Sequence, residues 1–268
     1  MKIGLSQLVM RDRNLRGVME FCKSAGYKGL EVLMTDDQDI KMDSTDAELK
    51  AVKDMSKELG VEMVSVCASS TKKRGAYGSP DPAEAKIGME VVTRQIEVAA
   101  KLGINACLVI PGGVTPQCPY DVLYESALKG SREVAKVAEK LKVHACYEFV
   151  WNRFLVSPLE MRQFLANVGS PYFNFFYDTG NMALFGYPEQ WARICGKYIK
   201  KVHFKDFRRP TGQAPYAWPL LREGEVDWPA VMKELRAVGY DDYVISEVGG
   251  NEEVHRKTAK TMEEILKL

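Results

Sequence analysis

Four residues of types that ligate metal ions occupy matching places in the second half of the sequence. Glu148 closes the run HACYE, Asp178 closes FNFFYD, His203 lies in KKVHF, and Glu247 closes YVISE. Their separations are 178−148=30, 203−178=25 and 247−203=44, so each follows the last by one strand-plus-helix unit. Taken singly, a carboxylate at a strand end more often caps a helix or meets a lysine, and a lone histidine is more often structural. Taken together, three carboxylates converging on one mouth repel one another and force proton uptake. A divalent cation held by oxygen and imidazole donors removes that conflict, and Mn²⁺, Mg²⁺, Co²⁺ and Zn²⁺ all accept such a donor set.

The elements that position these residues follow from the hydrophobic pattern. Short, nearly continuous apolar runs at 2–6, 29–33, 62–67, 106–110, 144–148, 173–177, 201–204 and 243–247 read as strands covered on both faces. Amphipathic segments at 46–60, 82–103, 157–169, 227–239 and 251–268 read as helices, with Thr45 and Ser157 as N-caps and Pro82 and Pro158 at first turns. Eight such units in 268 residues predict an α/β fold, a single-domain (β/α)₈ TIM barrel over residues 1–268. A doubly wound open sheet is the alternative. Alternation along the strands turns the four residues into the barrel, with Cys146, Phe176, Lys201 and Ile245 two residues deeper. Of the other histidines, His144 lies four residues below Glu148, about 13 Å at roughly 3.3 Å per residue, and His255 falls on the outer ring of helices.

Loops 68–81 and 205–226 are far longer than usual and lie on the face where barrel active sites are built, as lids or as inert insertions. Lys72, Lys73 and Arg74 in the first of these could receive a phosphate, though a solvated charge run is the simpler reading. Gly112–Gly113 could offer amides to an anion, with a plain turn favoured.

The net charge of +1, from 37 basic and 36 acidic residues, gives no field for a polyanion, and no nucleic-acid partner is expected. No window reaches the roughly 18 apolar residues of a membrane span, and the N-terminal run lacks a signal-peptide pattern. Six cysteines without a C-x-x-C pair point to a reducing, cytoplasmic setting.

The sequence resembles the sugar phosphate isomerase/epimerase group of the xylose isomerase-like barrels. The resemblance rests on EFVWNRFLVSP (148–158), DTGNM (178–182), GYPEQW (186–191), KKVHFKDF (200–207), EGEVDW (223–228) and GYDDYVISE (239–247). It implies one divalent metal, Mn²⁺ first among the candidates, held by Glu148, Asp178, His203 and Glu247. Glu148 and Glu247 are then also the catalytic acid and base in proton transfer beside the carbonyl of a ketose or ketose phosphate, with 3-epimerisation the leading outcome. Arg209, six residues beyond the histidine, is the implied substrate arginine, with Arg208 beside it. Asn181 and Trp151 are further substrate-binding candidates; Trp151 and Trp218 could stack on a sugar ring or simply pack their loops.

The sequence departs from epimerases of free ketohexoses in two places. One more residue separates Glu148 from Asn152, with Leu155 after Phe154, and Asn181 stands where those enzymes carry histidine. Both departures favour the sugar-phosphate branch. The rival readings are a lyase or dehydratase on the same site, and a barrel serving as a binding module. An endonuclease IV-type nuclease fits poorly, since it needs several more histidines than the three present. The partner expected is a small-molecule sugar or sugar phosphate, and a homo-oligomer is compatible with the exposed helices of such barrels.

Overall fold

The eight apolar runs pair in chain order. The computed structural model describes residues 1–69, 75–212 and 215–268. Strands β1 (Lys2–Ser6), β2 (Gly29–Met34), β3 (Glu62–Ala68), β4 (Ala106–Val109), β5 (His144–Glu148), β6 (Phe173–Asp178), β7 (Ile199–Phe204) and β8 (Tyr243–Ser246) are all parallel. β8 returns to β1 in the register Lys2↔Tyr243 through Leu5↔Ser246, which closes the barrel. Closure leaves no sheet edge and removes the open-sheet alternative.

Around the strands lie α1 (Leu15–Ala25), α2 (Asp46–Leu59), α3 (Pro82–Leu102), α4 (Tyr120–Leu141), α5 (Pro158–Val168), α6 (Thr179–Ala183), α7 (Pro188–Cys195), α8 (Trp228–Ala237) and α9 (Glu252–Ile265). Their ends have local causes. Thr45 and Glu48 form a reciprocal capping box on α2, which ends at Gly60 with φ +70°. Asp81 and Ser157 cap α3 and α5 just ahead of Pro82 and Pro158. None of the described helices is long and apolar enough to cross a membrane.

The structure adjusts several boundaries. β4 stops at Val109 because Pro111 cannot donate to the ladder. β7 begins at Ile199, two residues earlier than its apolar pattern suggests, opposite an irregularity at Phe175/Phe176. β8 ends one residue before Glu247, whose amide nevertheless still donates to the Phe204 carbonyl at 3.2 Å.

Two layers of packing result. Outward side chains of the strands meet the apolar stripes of the helices, while Val64, Leu108, Cys146, Phe176, Ile245 and their neighbours fill the barrel interior. Burying a side chain such as Phe176 stabilises the fold by about 1.5–3 kcal/mol. On β7 the inward row alternates with outward Val202 and Phe204, so Lys201 and His203 face the interior. Lys201, 2% exposed, meets Asp242 at 2.5 Å near the barrel floor.

Candidate metal centre

Register pairs two of the four sequence-predicted residues directly and sets Glu148 one inward step before them. Glu148 lies opposite Phe176 and Asp178 opposite His203, and Glu247 follows the end of β8. One donor atom from each of Glu148, Asp178, His203 and Glu247 lies within 4.8 Å of all the others. Donor atoms gathered this closely could share one ion, which these four residues would hold. Two buried oxygens, Asp178 Oδ2 and Glu247 Oε2, accept no well-aligned hydrogen bond and face the Lys205 ammonium instead. Such a set of oxygen and imidazole donors fits a hard or borderline divalent ion.

His203 is the hub. Its Nδ1 faces Glu148 Oε1 at 3.2 Å, Asp178 Oδ2 at 3.7 Å and Glu247 Oε2 at 3.9 Å. Burial opposes charge on the ring, but the surrounding carboxylates, Glu31 foremost, hold its pKa well above the usual imidazole range. Burial pushes Glu148 up to about 7 despite its hydrogen bond to His203. Asp178 is also buried, yet Lys205 and His203 together with the Asn181 amide keep its carboxyl well below the usual range.

Sequence reasoning missed two members of the cluster. Glu31, 1% exposed on β2, meets His203 Nε2 at 3.0 Å and accepts from Ser6 Oγ at 2.8 Å and Ser65 Oγ at 2.7 Å. Burial raises its pKa, but His203 and the two serines more than offset this and hold it low. A carboxylate inside the apolar run GLEVL was the available signal. Lys205, two residues past His203, pairs with Glu247 and lies 3.3 Å from Asp178 Oδ2, with its ammonium 4.8 Å from the Trp218 ring centroid.

The remaining predicted residues divide. Asn181 joins the cluster: its side-chain amide donates to Glu148 Oε1 at 3.3 Å, and its backbone amide donates to Asp178 Oδ1, the N-cap of α6, at 2.7 Å. Trp151 lies just above, donating to the Asn181 carbonyl at 3.3 Å and packing against Trp218 with centroids 4.8 Å apart. Phe207 and Tyr216 complete this aromatic cover. Arg209 is not brought against the four. Its guanidinium pairs with Glu225 at 2.9 Å and donates to the Ala183 and Gly186 carbonyls. Arg208 donates to the Glu223 carbonyl.

The long loop after β7 hangs on one buried carboxylate. Asp206 accepts from the amides of Phe207, Arg222, Gly224 and Val226 and from the Trp228 indole. Gly112 and Gly113 lie in an irregular segment pressed against the loop after β5: a Cβ on Gly113 would stand 3.0 Å from Asn152, whose side chain bonds the Gly112 carbonyl. His144 stacks on Tyr172, and His255 packs against Phe21 on α9; neither joins the cluster. Lys72, Lys73 and Arg74 lie outside the described residues.

The xylose isomerase-like TIM barrel family matches residues 19–265 of this chain. Among solved structures, D-psicose 3-epimerase with D-tagatose from Clostridium cellulolyticum H10 is 17% identical, with a TM-score of 0.80 over 100% of this chain and 98% of that one. The IOLI protein with a binding zinc atom is also 17% identical, with a TM-score of 0.80 and the same coverage of 100% and 98%. The 3-keto-D-glucoside 4-epimerase YcjR from E. coli, apo form, gives 17% and 0.79 over the full length of both chains. At such identities the likeness is one of fold. No curated protein matches the sequence.

Proposed function

This chain belongs to the xylose isomerase-like TIM barrel family, and from that premise we propose that it is a divalent-metal-dependent isomerase or epimerase of a ketose or ketose phosphate. The carrying observation is the buried convergence of Glu148, Asp178, His203 and Glu247 within 4.8 Å. These four would hold the ion, which when bound supplies Lewis-acid stabilisation of negative charge on substrate oxygens. Mn²⁺ is the ion we expect, with Mg²⁺, Co²⁺ or Zn²⁺ as substitutes; the zinc in the IOLI structure supports a site of this kind.

Glu148 and Glu247 do the proton work in this reading. They project from β5 and from the end of β8, on well-separated parts of the barrel wall, so a substrate carbon between them is open to both faces. One carboxylate takes the proton beside the carbonyl and the other returns one, and return from the opposite face inverts that carbon, as in 3-epimerisation. Asn181 orients Glu148 through its side-chain amide. Trp151 and Trp218 offer flat apolar surface for a sugar and exclude water. Arg209 would contact substrate only after releasing Glu225. The free state of all six cysteines supports a cytoplasmic setting.

Lys205 gives elimination a footing of its own. An ammonium beside Glu247 would hydrogen-bond a departing β-hydroxyl and stabilise the charge developing on it, which would make the enzyme a lyase or dehydratase.

The deciding experiment loads the protein with Mn²⁺ and follows ketoses and ketose phosphates in D₂O by NMR. Deuterium entering the carbon beside the carbonyl, with an inverted or isomerised product, supports the proposal; an unsaturated product supports elimination. Glu247→Gln should abolish exchange while retaining part of the metal affinity. Full exchange activity in that variant would overturn the role given to Glu247.

A further inference from the structure

Glu31 is the one carboxylate of the cluster that the proposed chemistry leaves without a task. It sits on β2 in register with Ser6 on β1 and Ser65 on β3, so three neighbouring strands present one polar row to the interior. Each serine hydroxyl has a single proton, and both point it at Glu31; Ser6 Oγ meanwhile accepts from the Leu8 amide. The carboxylate so surrounded has only lone pairs to offer, and one of them meets His203 Nε2 at 3.0 Å from across the barrel. The hydrogen of that contact therefore resides on Nε2. The opposite ring nitrogen, Nδ1, is the one that faces Glu148, Asp178 and Glu247.

We infer that Glu31 is a positioning residue: it fixes His203 in the Nε2–H tautomer and the ring orientation that present the Nδ1 lone pair to the divalent ion. This inference rests on the metal reading above. A carboxylate behind a ligating imidazole orients the ring and raises its basicity, and loss of such a partner typically weakens metal binding about 10–100-fold. A purely structural role for Glu31 would leave the choice of ring nitrogen free.

The test uses the full-length protein with ¹⁵N-labelled histidine, in which three histidines keep the spectrum assignable. Wild type, Glu31→Gln and Glu31→Ala are titrated with Zn²⁺, a diamagnetic probe, and ring tautomers are read from long-range ¹H–¹⁵N correlations alongside the Zn²⁺ dissociation constant. In Zn²⁺-loaded wild type, His203 should carry its proton on Nε2 and the metal on Nδ1. Glu31→Ala should bind Zn²⁺ about 10–100-fold more weakly, with the tautomer no longer uniform. Glu31→Gln, whose amide oxygen can still accept from Nε2–H, should keep the tautomer and recover most of the affinity. Metal on Nε2 in the wild type overturns the inference without any variant needing to fold. So does a folded Glu31→Ala protein with unchanged affinity and tautomer. A wild type that takes up neither Zn²⁺ nor Mn²⁺ overturns the metal reading itself, and the role of Glu31 with it.

Discussion

Replacing Lys205 with methionine keeps the length of the side chain and removes its charge. The ammonium lies 3.3 Å from Asp178 Oδ2, a separation worth about 5 kcal/mol of gross attraction at an effective dielectric constant near 20. It also pairs with Glu247, and both Lys205 and Glu247 are about 15% exposed, at 16% and 14%. Removing one partner from such a buried arrangement typically costs about 3–5 kcal/mol, because the stranded carboxylates keep their desolvation penalty. At about 2.1 cal/mol/K per residue, that corresponds to a fall of roughly 5–9 °C in Tm. The loss should be confined to metal-free protein, since a bound dication supplies the neutralising charge itself. Urea unfolding at pH 7.5, in EDTA and then in saturating Mn²⁺, measures both states. The expected result is a deficit of about 3–5 kcal/mol in EDTA that shrinks below about 1 kcal/mol with metal. Equal stability of Lys205→Met and wild type in EDTA, or an equal deficit with and without metal, would refute the claim that lysine and ion neutralise the same carboxylates.

Other consequences can be checked separately. Asp206→Ala strands several buried donors of the loop after β7 and should lower stability by about 2–4 kcal/mol in urea unfolding. Gly88→Ala places a Cβ 2.2 Å from the Tyr77 amide nitrogen and should cost about 3 kcal/mol. Gly26→Ala meets nothing within 4 Å and should cost only the roughly 1–2 kcal/mol of its left-handed backbone, φ +95°. Burial holds the imidazoles of His144 and His255 below the ordinary value of 6.5. Below that pH the unfolded chain binds protons that the native state refuses, so their contribution to stability is present above 6.5 and lost as pH falls. The difference in unfolding free energy between wild type and a His144→Asn/His255→Leu double variant should therefore be flat above pH 6.5 and narrow below it. A difference independent of pH would count against burial as the cause.

The barrel and four of its polar residues were legible because each clue was local. A strand with period-two alternation that ends on a ligand-type residue fixes both the face and the end at which that residue stands. Glu31 escaped because its partner is 172 residues away, a distance that no local pattern spans. Arg209 has the spacing from His203 that the resemblance implies, and its guanidinium here meets Glu225, sixteen residues on, a contact that no local pattern announces. Helix α4 carried weak punctuation. α4 starts at Pro119 with no side-chain cap and stops at Lys142, which takes the left-handed conformation, φ 56°, that glycine usually marks.

The inward row of β7 continues past the strand as Lys201, His203 and Lys205, cationic side chains at successive steps of two. A one-residue slip would turn this row outward and is strongly opposed, but a two-residue slip preserves the face and keeps a basic side chain at two of the three steps, with Ile199 or Phe207 at the third. Coulombic matching with the surrounding acids thus discriminates poorly between those two alignments. An ammonium, however, has no lone pair to donate. An ion that demands an aromatic nitrogen at one height would tell them apart, so a metal of the proposed kind would arbitrate strand alignment during folding as well as serve turnover.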